Sequence, residues 1–393
     1  MDADPDIVIL GAGIGGLTLA AHLQSKGIRC RIYEQAEQLG EVGAGIGLWS
    51  NAVSCLEQIG IDETFWSTRG CEIFQAEIAS SSGKVLSRCD VRPVVEKIGT
   101  GSFVVHRGDL HRAIAQQVAP DSIQTGKQLV DLKILDDGVR LRFADGAEET
   151  AGIAVGADGL RSQTRASLFG EIPPRYSGQT CYRGIAKKKI GERHVLREIQ
   201  GRGPRAAVIP LDDERVYWWT TENTPESGNR PPHEEKSHLL SLYDDWAFGV
   251  ADVIEATPAE SILRNDLYDR PPLPTWSRGP VTLLGDAAHP TTPNLGQGAC
   301  MAIEDAFFLG TLLADSGKPA TAFSQYEKLR KSHCESIVKA SRRFGWIGGW
   351  SHPLAVGLRE MMMASTPEFM VRKTMEKNLT PAPLPRTSTS CPA

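Results

Sequence analysis

The first of three glycine-rich segments in this sequence reads GAGIGG at residues 11–16 and directly follows the apolar run at 6–10. In this pattern Gly11 permits a tight turn, Gly13 lets the backbone approach a pyrophosphate, and Gly16 allows a helix to pack closely on a sheet. The N-terminus of the helix that follows offers free N–H groups and a partial positive charge to the phosphates. The segment therefore predicts a dinucleotide site, with a plain glycine-rich turn as the alternative.

An acidic residue stands where such a turn needs one. Residues 28–33 alternate like a second strand, and Glu34 follows them, 23 residues after Gly11. A carboxylate at this position binds the ribose hydroxyls of an adenosine. Strand, turn, helix and second strand form one βαβ unit with an expected right-handed crossover. The unit alone does not distinguish FAD from NAD.

Two further glycine-rich segments follow predicted strands: GADGLRS at 156–162 and GDAAH at 285–289. Asp286, at the end of a buried strand, can accept hydrogen bonds from polyol hydroxyls. The glycines after it let backbone N–H groups at a helix start face a partly anionic ring edge. The alternative for Asp286 is an N-cap of the following helix.

The elements that must position these segments change character along the chain. The run at 6–10 has the continuous apolar pattern of a strand buried on both faces, and a helix is predicted from Leu17 to Leu23, ending near Gly27. Strands then alternate with helices up to Val155. From Gly178 to about Thr221 the pattern predicts successive strands of an antiparallel sheet.

The last third of the chain returns to the first pattern. A polar, Pro-rich loop is predicted at 226–236, a strand at 280–289, and a helix through Phe307 to Leu313. The chain is then predicted to be helical to about Leu379. Residues 380–393 are rich in Pro, Ser and Thr and predict a disordered tail.

The overall composition excludes several classes of protein. The formal net charge of −5 gives no electrostatic reason to expect nucleic acid as a partner. The eight cysteines contain no CxxC pair, which argues against a metal site, a redox-active disulfide or a secreted disulfide framework. No signal peptide is predicted, and no apolar stretch reaches the roughly 18 residues of a transmembrane helix. A reducing cytoplasm is the expected location.

Together, GAGIGG with Glu34, GADGLRSQTR from residue 156 and GDAAHPTTPNLGQGACMAIEDA from residue 285 resemble the class A flavoprotein monooxygenases. This is the family of para-hydroxybenzoate hydroxylase and salicylate hydroxylase, and the resemblance covers about residues 5–350. It implies an α/β protein with the FAD-binding Rossmann-like fold of para-hydroxybenzoate hydroxylase, an antiparallel β-sheet substrate domain and C-terminal helices. The implied division is an FAD-binding domain at 1–175 and 276–345, a substrate domain at 176–275 with part of 72–105, helices at 346–379 and a tail at 380–393.

The resemblance also implies a set of cofactor-binding residues. Arg107 would contact the FAD diphosphate, backbone at Leu129 the adenine, and Asp158 both FAD and a transient NADH or NADPH. Pro293 would lie beside the ring where oxygen is activated. A surface cation at a helix start is the alternative for Arg107. The full implied set is Gly11, Gly13, Gly15, Gly16, Glu34, Gln35, Gly47, Arg107, Leu129, Asp158, Asp286, Pro293, Leu295, Gly296, Gln297 and Gly298.

On the substrate side, Arg205 and Tyr217 match an arginine and a tyrosine of the urate hydroxylases. They would form a hydrogen-bonding pair in the pocket, with Arg205 stabilising an anionic substrate. The alternative is a solvated strand arginine and a sheet-packing tyrosine. Tyr182 and Arg183 are weaker candidates, because alternate strand residues are expected to face solvent.

The implied activity is insertion of one oxygen atom of O2 into an aromatic or heteroaromatic substrate through a flavin C4a-hydroperoxide, with NAD(P)H as reductant. The flavin carries the difficult chemistry, so no protein nucleophile or metal is required. One alternative is an FAD-dependent epoxidase or dehydrogenase acting on a lipophilic terpenoid or polyketide. Another is an FAD-binding protein without turnover. The substrate and the choice between NADH and NADPH stay open.

Apolar residues recur at helical spacing from Phe344 to Met363. They predict helices that pack over the two domains or form a dimer surface, with a peripheral membrane contact as the alternative. A monomer and a homodimer are both compatible with this pattern.

Overall fold

The computed structural model describes residues 6–40, 43–189, 192–316 and 318–380. Of the tail predicted at 380–393, only residue 380 is among the described residues. Cys391 lies outside them. No helix in the described part of the chain is long and apolar enough to cross a bilayer. The mixed α/β fold predicted from the sequence is confirmed.

The strands are numbered in chain order. They are β1 Ile7–Leu10, β2 Cys30–Tyr33, β3 Gly45–Leu48, β4 Gly70–Glu72, β5 Gln75–Ser80, β6 Val85–Asp90, β7 Phe103–His106, β8 Ile123–Gln124, β9 Leu129–Leu135, β10 Gly138–Phe143, β11 Glu148–Ala151, β12 Ile153–Gly156, β13 Arg175–Lys187, β14 Val195–Gln200, β15 Arg205–Pro210, β16 Arg215–Asn223, β17 Leu263–Asp269, β18 Ser277–Arg278 and β19 Val281–Leu283.

The helices follow the same convention. They are α1 Ile14–Ser25, α2 Ser50–Gln58, α3 Glu63–Arg69, α4 Arg92–Ile98, α5 Arg107–Ala115, α6 Gln163–Phe169, α7 Pro232–Tyr243, α8 Val250–Glu255, α9 Gly298–Ser316, α10 Pro319–Gly348, α11 Pro353–Ser365 and α12 Glu368–Leu379.

A six-stranded sheet in the order β18-β19-β12-β1-β2-β8 forms the centre of the protein. Its strands are parallel from β19 to β8, and β1 lies between β12 and β2. All four residues of β1 are buried, as its continuous apolar sequence predicts. Because parallel strands end at one edge, the glycine-rich segments after β1, β12 and β19 meet there.

A seven-stranded sheet in the order β17-β13-β16-β15-β14-β5-β6 forms the second layer. The predicted antiparallel arrangement holds except between β14 and β5, which run parallel. β5 and β6 arrive from residues 75–90, a long-range pairing that no local pattern signals. The predicted loop at 226–236 is also wrong at its end, because α7 begins at Pro232 with proline in its first turn.

Both faces of this sheet are covered, so the expectation that alternate β13 residues face solvent is wrong. The outer face, which includes Tyr182 and Trp218, packs under α7 and α8. The inner face, which includes Ile209 and Tyr217, packs against the core of the central sheet.

The strand predicted at 280–289 is shorter than expected. β19 ends at Leu283 and a 3₁₀ turn follows at Gly285–Ala287, because Gly285 adopts a left-handed φ of 59°. The chain after Phe307 is helical to Leu379, as predicted.

The two last helices pack on β6, and α12 also packs on α4. Their other sides carry exposed apolar residues, among them Leu354, Met361, Met362 and Phe369. In α11 only Val356 and Arg359 are buried. Packing of α11 on the seven-stranded sheet is therefore present, while packing over both domains, a dimer surface and a membrane contact stay predictions.

The outer-face core makes the first testable prediction. Trp218 is fully buried and its Nε1 donates to Thr257 Oγ1 at 2.9 Å. Trp218→Ala is expected to lower the free energy of unfolding by about 3–5 kcal/mol, because it leaves a cavity and removes the hydrogen bond to Thr257. Urea unfolding followed by circular dichroism measures the change. The matched control is Trp346→Ala, at a side chain that is 67% exposed. Equal effects of the two variants would contradict this description of the core.

Candidate cofactor and substrate site

The first glycine-rich turn is held at the edge of the central sheet by contacts that leave no room for side chains. Gly11 has a φ of 109°, and a Cβ there would lie 2.5 Å from Ala157 O. A Cβ on Gly16 would lie 2.0 Å from Gly11 O. The turn after β1 thus packs directly on the turn after β12.

Gly13 is the exception in this turn, because a Cβ there would meet nothing within 4 Å. It is the N-cap of α1, and no side chain caps that helix. The first N–H groups of the helix therefore face open space, with the positive end of the helix dipole behind them. This is the geometry that binds a pyrophosphate.

Glu34 joins the second strand to the same turn. Its Oε2 accepts from Ala12 N at 2.7 Å and its Oε1 from Ala36 N at 2.9 Å. Each carboxylate oxygen retains a further acceptor site for a hydroxyl group. Gln35 follows it, and β9 begins with Leu129 nearby, because Lys127 N donates to Glu34 O and Gly126 N to Ala36 O. The predicted ribose and adenine positions are adjacent.

Glycines recur at alternate positions 43, 45 and 47, just before and within β3, and form a strip of backbone without side chains. The side chain of Arg107 lies over Gly43, and the ring of Tyr217 lies over Gly45. A Cβ at Gly47 would meet nothing within 4 Å. The face of β3 that Tyr217 covers at Gly45 is therefore open at Gly47, and this open space forms a slot beside the strip.

Asp158, in the second glycine-rich segment, already has partners within the chain. Its Oδ1 accepts from Ser162 Oγ at 2.5 Å, and its Oδ2 accepts from the N–H and hydroxyl of Thr164, both at 2.9 Å. Burial raises its pKa, and these hydrogen bonds oppose the change. The carboxylate holds the start of α6 against the edge of the sheet. A direct role for Asp158 in binding FAD or NAD(P)H stays a prediction.

Asp286 lies in the turn after β19, and its side chain is solvent-accessible although protein surrounds it. Burial raises its pKa, while His289 and Arg107 oppose the rise. The N-cap alternative is wrong, because α9 begins only at Gly298. Its carboxylate is therefore available to accept hydroxyl groups.

A buried ionic network behind this turn was not anticipated from the sequence. Asp305 accepts from His289 Nε2 at 2.5 Å, from Arg330 Nε at 2.7 Å and from Gly285 N at 3.3 Å. Arg330 also donates to Glu304 at 2.9 Å. The network connects α9 and α10 to the backbone of the third glycine-rich turn. Only the acidic pair in the segment IEDA hinted at it.

Burial favours the neutral form of His289, but Cys334 and Asp305 outweigh this and raise its pKa well above the usual value. The pKa of Asp305 is lowered to about 2, because His289 and Arg330 outweigh the cost of its burial. His289 and Asp305 are therefore a charged pair.

The stretch from Pro293 to Gly298 contacts Trp49, the residue that follows β3. Pro293–Leu295 is a 3₁₀ turn, and Gly296 has a φ of 62°. A Cβ on Gly296 would lie 3.2 Å from Trp49 Nε1. This indole N–H is buried without a hydrogen-bond partner in the described chain, as is the Oδ1 of Asn51. The Nδ2 of Asn51 reaches Gln297 Oε1 at 3.4 Å.

These features fit FAD. The open start of α1 can bind the phosphates of FAD. Asp286 can accept hydrogen bonds from its polyol chain, and the slot beside Gly47 can hold its flat ring. The unpartnered indole N–H and amide oxygen next to Gly296 and Gln297 suit the hydrogen-bonding edge of that ring. Gly15 is not at the surface of the site, because a Cβ there would lie 2.7 Å from Leu284 Cδ2.

The two residues predicted for substrate chemistry both lie on the inner face of the seven-stranded sheet, and their role towards a substrate stays a prediction. In strand register Arg205 is opposite Thr221 and Tyr217 is opposite Ile209, four residues further along. Arg205 is 1% exposed and donates to Glu198 at 3.2 Å, Gln179 at 3.3 Å and Asn294 at 2.5 Å. It thus anchors the turn at 293–295 through Asn294.

Comparison with known proteins agrees with this geometry. Residues 4–341 match the family described as FAD binding domain. The chain is 37% identical over 379 residues to aurachin C monooxygenase/isomerase of Stigmatella aurantiaca, covering 96% of this chain and 98% of that protein. It is 31% identical to the FAD-dependent urate hydroxylase of Klebsiella oxytoca, covering 86% and 88%. The crystal structure of Klebsiella pneumoniae HpxO with FAD and uric acid superposes with a TM-score of 0.89 at 26% identity, covering 96% and 97%.

The slot beside β3 makes the second prediction. Gly47→Leu is expected to leave the apoprotein folded, because nothing lies within 4 Å of the new Cβ, but to weaken FAD binding at least about tenfold, or ~1.4 kcal/mol. Flavin absorbance after reconstitution and dialysis measures retention. Gly357→Ala, at another open glycine position outside the site, is the control and should retain flavin. Normal flavin retention by Gly47→Leu would show that the ring lies elsewhere.

The His289–Asp305 pair makes the third prediction. Since folding raises the pKa of His289, its stabilising contribution is complete below the unfolded value of about 6.5 and is lost as pH rises through the folded value. Between about pH 6.5 and 8.5 the free energy of unfolding should fall more steeply in the wild type than in His289→Gln. Urea unfolding at several pH values measures both slopes. His233→Gln, at an exposed histidine, is the control. Identical slopes for wild type and His289→Gln would refute the charged pair.

Proposed function

This chain belongs to the class A FAD-dependent monooxygenases, and we propose that it uses NAD(P)H and O2 to hydroxylate an aromatic or heteroaromatic ring. The family match and the two relatives cover most of the chain. It is therefore a flavoprotein oxidoreductase with FAD as its cofactor. The named activities of its relatives support the substrate class.

The observation that carries the proposal is the slot between the glycine strip and the inner face. Tyr217 covers Gly45 while the space over Gly47 is open, so a flat ring on β3 would lie under the inner face. A substrate on that face would lie against the ring. The phosphate end of the site, at Gly13, is at the sheet edge where the cofactor enters.

We propose that different residues hold different parts of FAD. The start of α1 holds the pyrophosphate, Glu34 the ribose, Asp286 the polyol chain, and the backbone at 295–298 the ring edge. Bound FAD supplies the redox chemistry, taking electrons from NAD(P)H and activating O2. The network around Asp305 positions the turn that carries Asp286.

The inner face would keep water from the reacting ring. Ile185, Ile209 and Trp219 present apolar side chains on it and pack towards the core of the central sheet. Excluding water prevents side reactions of a reactive oxygen species. Arg205 would fix the turn at 293–295 through Asn294, and with Tyr217 it is the candidate to contact an anionic substrate on this face.

A reducing compartment such as the cytoplasm is also part of the proposal. Its support is that seven cysteines in the described residues are free and buried. Such thiols are typical of proteins kept reduced.

The fourth prediction tests the activity directly. The FAD-loaded protein should oxidise NADH or NADPH faster when one compound from a panel of urate, 3-amino-4-hydroxybenzoate, salicylate and 2-alkyl-4-quinolones is present. The product should be heavier by one oxygen atom, and that atom should come from isotopically heavy O2. The Gly47→Leu variant, assayed in parallel without added FAD, is the negative control. Product lacking oxygen from O2, or loss of hydrogen instead, would favour the dehydrogenase alternative. An epoxide product from an alkene would favour the epoxidase.

A further inference from the structure

Helix α11 presents an uncharged, apolar side to the outside of the protein. Four large apolar side chains that are 46–80% exposed recur along it: Leu354, Leu358, Met361 and Met362. Because they are three or four residues apart, they lie on one side of the helix. The two charged residues of α11 lie elsewhere, since Arg359 is buried and Glu360 is half-buried. A continuous apolar surface of this kind marks a place where another molecule binds.

The orientation of α11 is fixed by its buried arginine. Arg359 is 1% exposed, its Nη1 donates to Gly348 O at 2.8 Å, and its Nη2 donates to Gly201 O at 2.7 Å. The helix also packs on β6. Turning the apolar side inward would break both hydrogen bonds and leave a charged group buried without acceptors. The apolar side chains of α11 are therefore held outward.

Helix α12 adds apolar side chains and positive charge. Phe369 and Met370, near its start, are 67% and 52% exposed. Lys373 and Lys377 follow on the same side of the helix, and both are exposed without an ion pair among the described residues. Long lysine side chains can lie along an apolar surface while their ammonium groups reach outward. We call the six exposed side chains at 354, 358, 361, 362, 369 and 370 the apolar face.

The acidic groups of α12 do not offset these two lysines. Glu368 forms an ion pair with Arg372, and Glu376 forms one with Lys97 of α4. Lys84, in the turn between β5 and β6, lines a shallow groove beside α11 together with Glu360. The charge that is left at the edge of the apolar face is positive, although the whole chain has a formal net charge of −5.

Two protein occupants fit this face poorly. Residues 381–393 contain one large apolar side chain, Leu384, and no acidic residue, so they could neither cover six apolar side chains nor pair with the lysines. A second copy bound through a two-fold axis would place the same patch against itself, and the lysines of the two copies would repel each other. An occupant that is apolar inside and negatively charged at its surface fits both features.

We propose that the apolar face of α11 and α12 binds the surface of an anionic phospholipid bilayer. The six apolar side chains would enter the boundary between headgroups and acyl chains, as in other helices that lie in the membrane surface. Lys373 and Lys377 would contact the lipid phosphates, because anionic bilayers attract nearby lysines. The contact is peripheral, since no helix of the described residues is long and apolar enough to cross a bilayer.

The fifth prediction measures binding of the FAD-loaded protein to vesicles by co-sedimentation. The vesicles consist of phosphatidylcholine with or without phosphatidylglycerol, which carries a negative charge. The wild type should bind the anionic vesicles more tightly than the neutral ones. This preference should decline as the salt concentration rises, because salt screens exposed charges.

Two double variants separate the apolar and the charged contributions. Leu358→Ser with Met361→Ser should weaken binding to anionic vesicles at least about tenfold, because less apolar surface enters the bilayer. Lys373→Gln with Lys377→Gln should weaken binding to anionic vesicles about ten- to thirtyfold and leave binding to neutral vesicles unchanged.

Matched controls remove the same kinds of side chain elsewhere on the surface. Ile134→Ser with Ile172→Ser replaces two apolar residues that are 40% and 44% exposed. Lys133→Gln with Lys187→Gln replaces two exposed lysines. Both controls should bind vesicles as the wild type does. Flavin content and circular dichroism confirm that every variant is folded.

Three results would overturn the inference. The first is a wild type that sediments with neither kind of vesicle or equally with both. The second is a control variant that loses as much binding as the corresponding variant of the apolar face. The third comes from sedimentation equilibrium without lipid: a dimer that is abolished by Leu358→Ser with Met361→Ser would assign the face to a second copy.

Discussion

The parallel pairing of β12, β1 and β19 within one sheet is the constraint on which the cofactor site depends. It brings together three turns that are far apart in the sequence, and it does so at van der Waals distance, since Gly11 lies against Ala157 and Gly16 against Gly11. Such contacts leave only glycine at these positions. The open helix start at Gly13 and the placement of Asp286 both follow from where these strands end.

The sequence predicted the parts of the structure that local pattern governs. The buried strand at 6–10, the glycine turn with Glu34 and the helical C-terminal region were all recognisable, because each depends on periodicity or on a short motif. The pairing of β14 with β5 follows no local pattern, since it joins residues more than a hundred positions apart, and only the family resemblance, which assigned part of 72–105 to the substrate domain, pointed to it. The ionic network of Asp305 and Arg330 was missed because the two residues lie on different helices, whose packing no local pattern specifies.

The substrate side shows the limit of motif reasoning most clearly. A match by residue type favoured Arg205 over Arg183, but residue type carries no information about partners. Three protein acceptors, on Glu198, Gln179 and Asn294, bind Arg205, and only the folded structure shows them. The alternation of side chains along β13 predicted one face exposed to solvent. This prediction was wrong, because α7 and α8 cover that face and form a second core with it.

The glycine strip of β3 has a consequence for how this protein can diversify. At Gly47 the strip exposes main-chain atoms, which every sequence possesses and which only an added side chain would cover, whereas Arg107 lies over Gly43 and Tyr217 over Gly45. The face across the slot is built from side chains, each of which can be exchanged singly. Binding of the cofactor thus depends on main-chain atoms, and selection of the substrate depends on side chains. Substrate specificity can therefore change one residue at a time while the FAD-binding site stays the same.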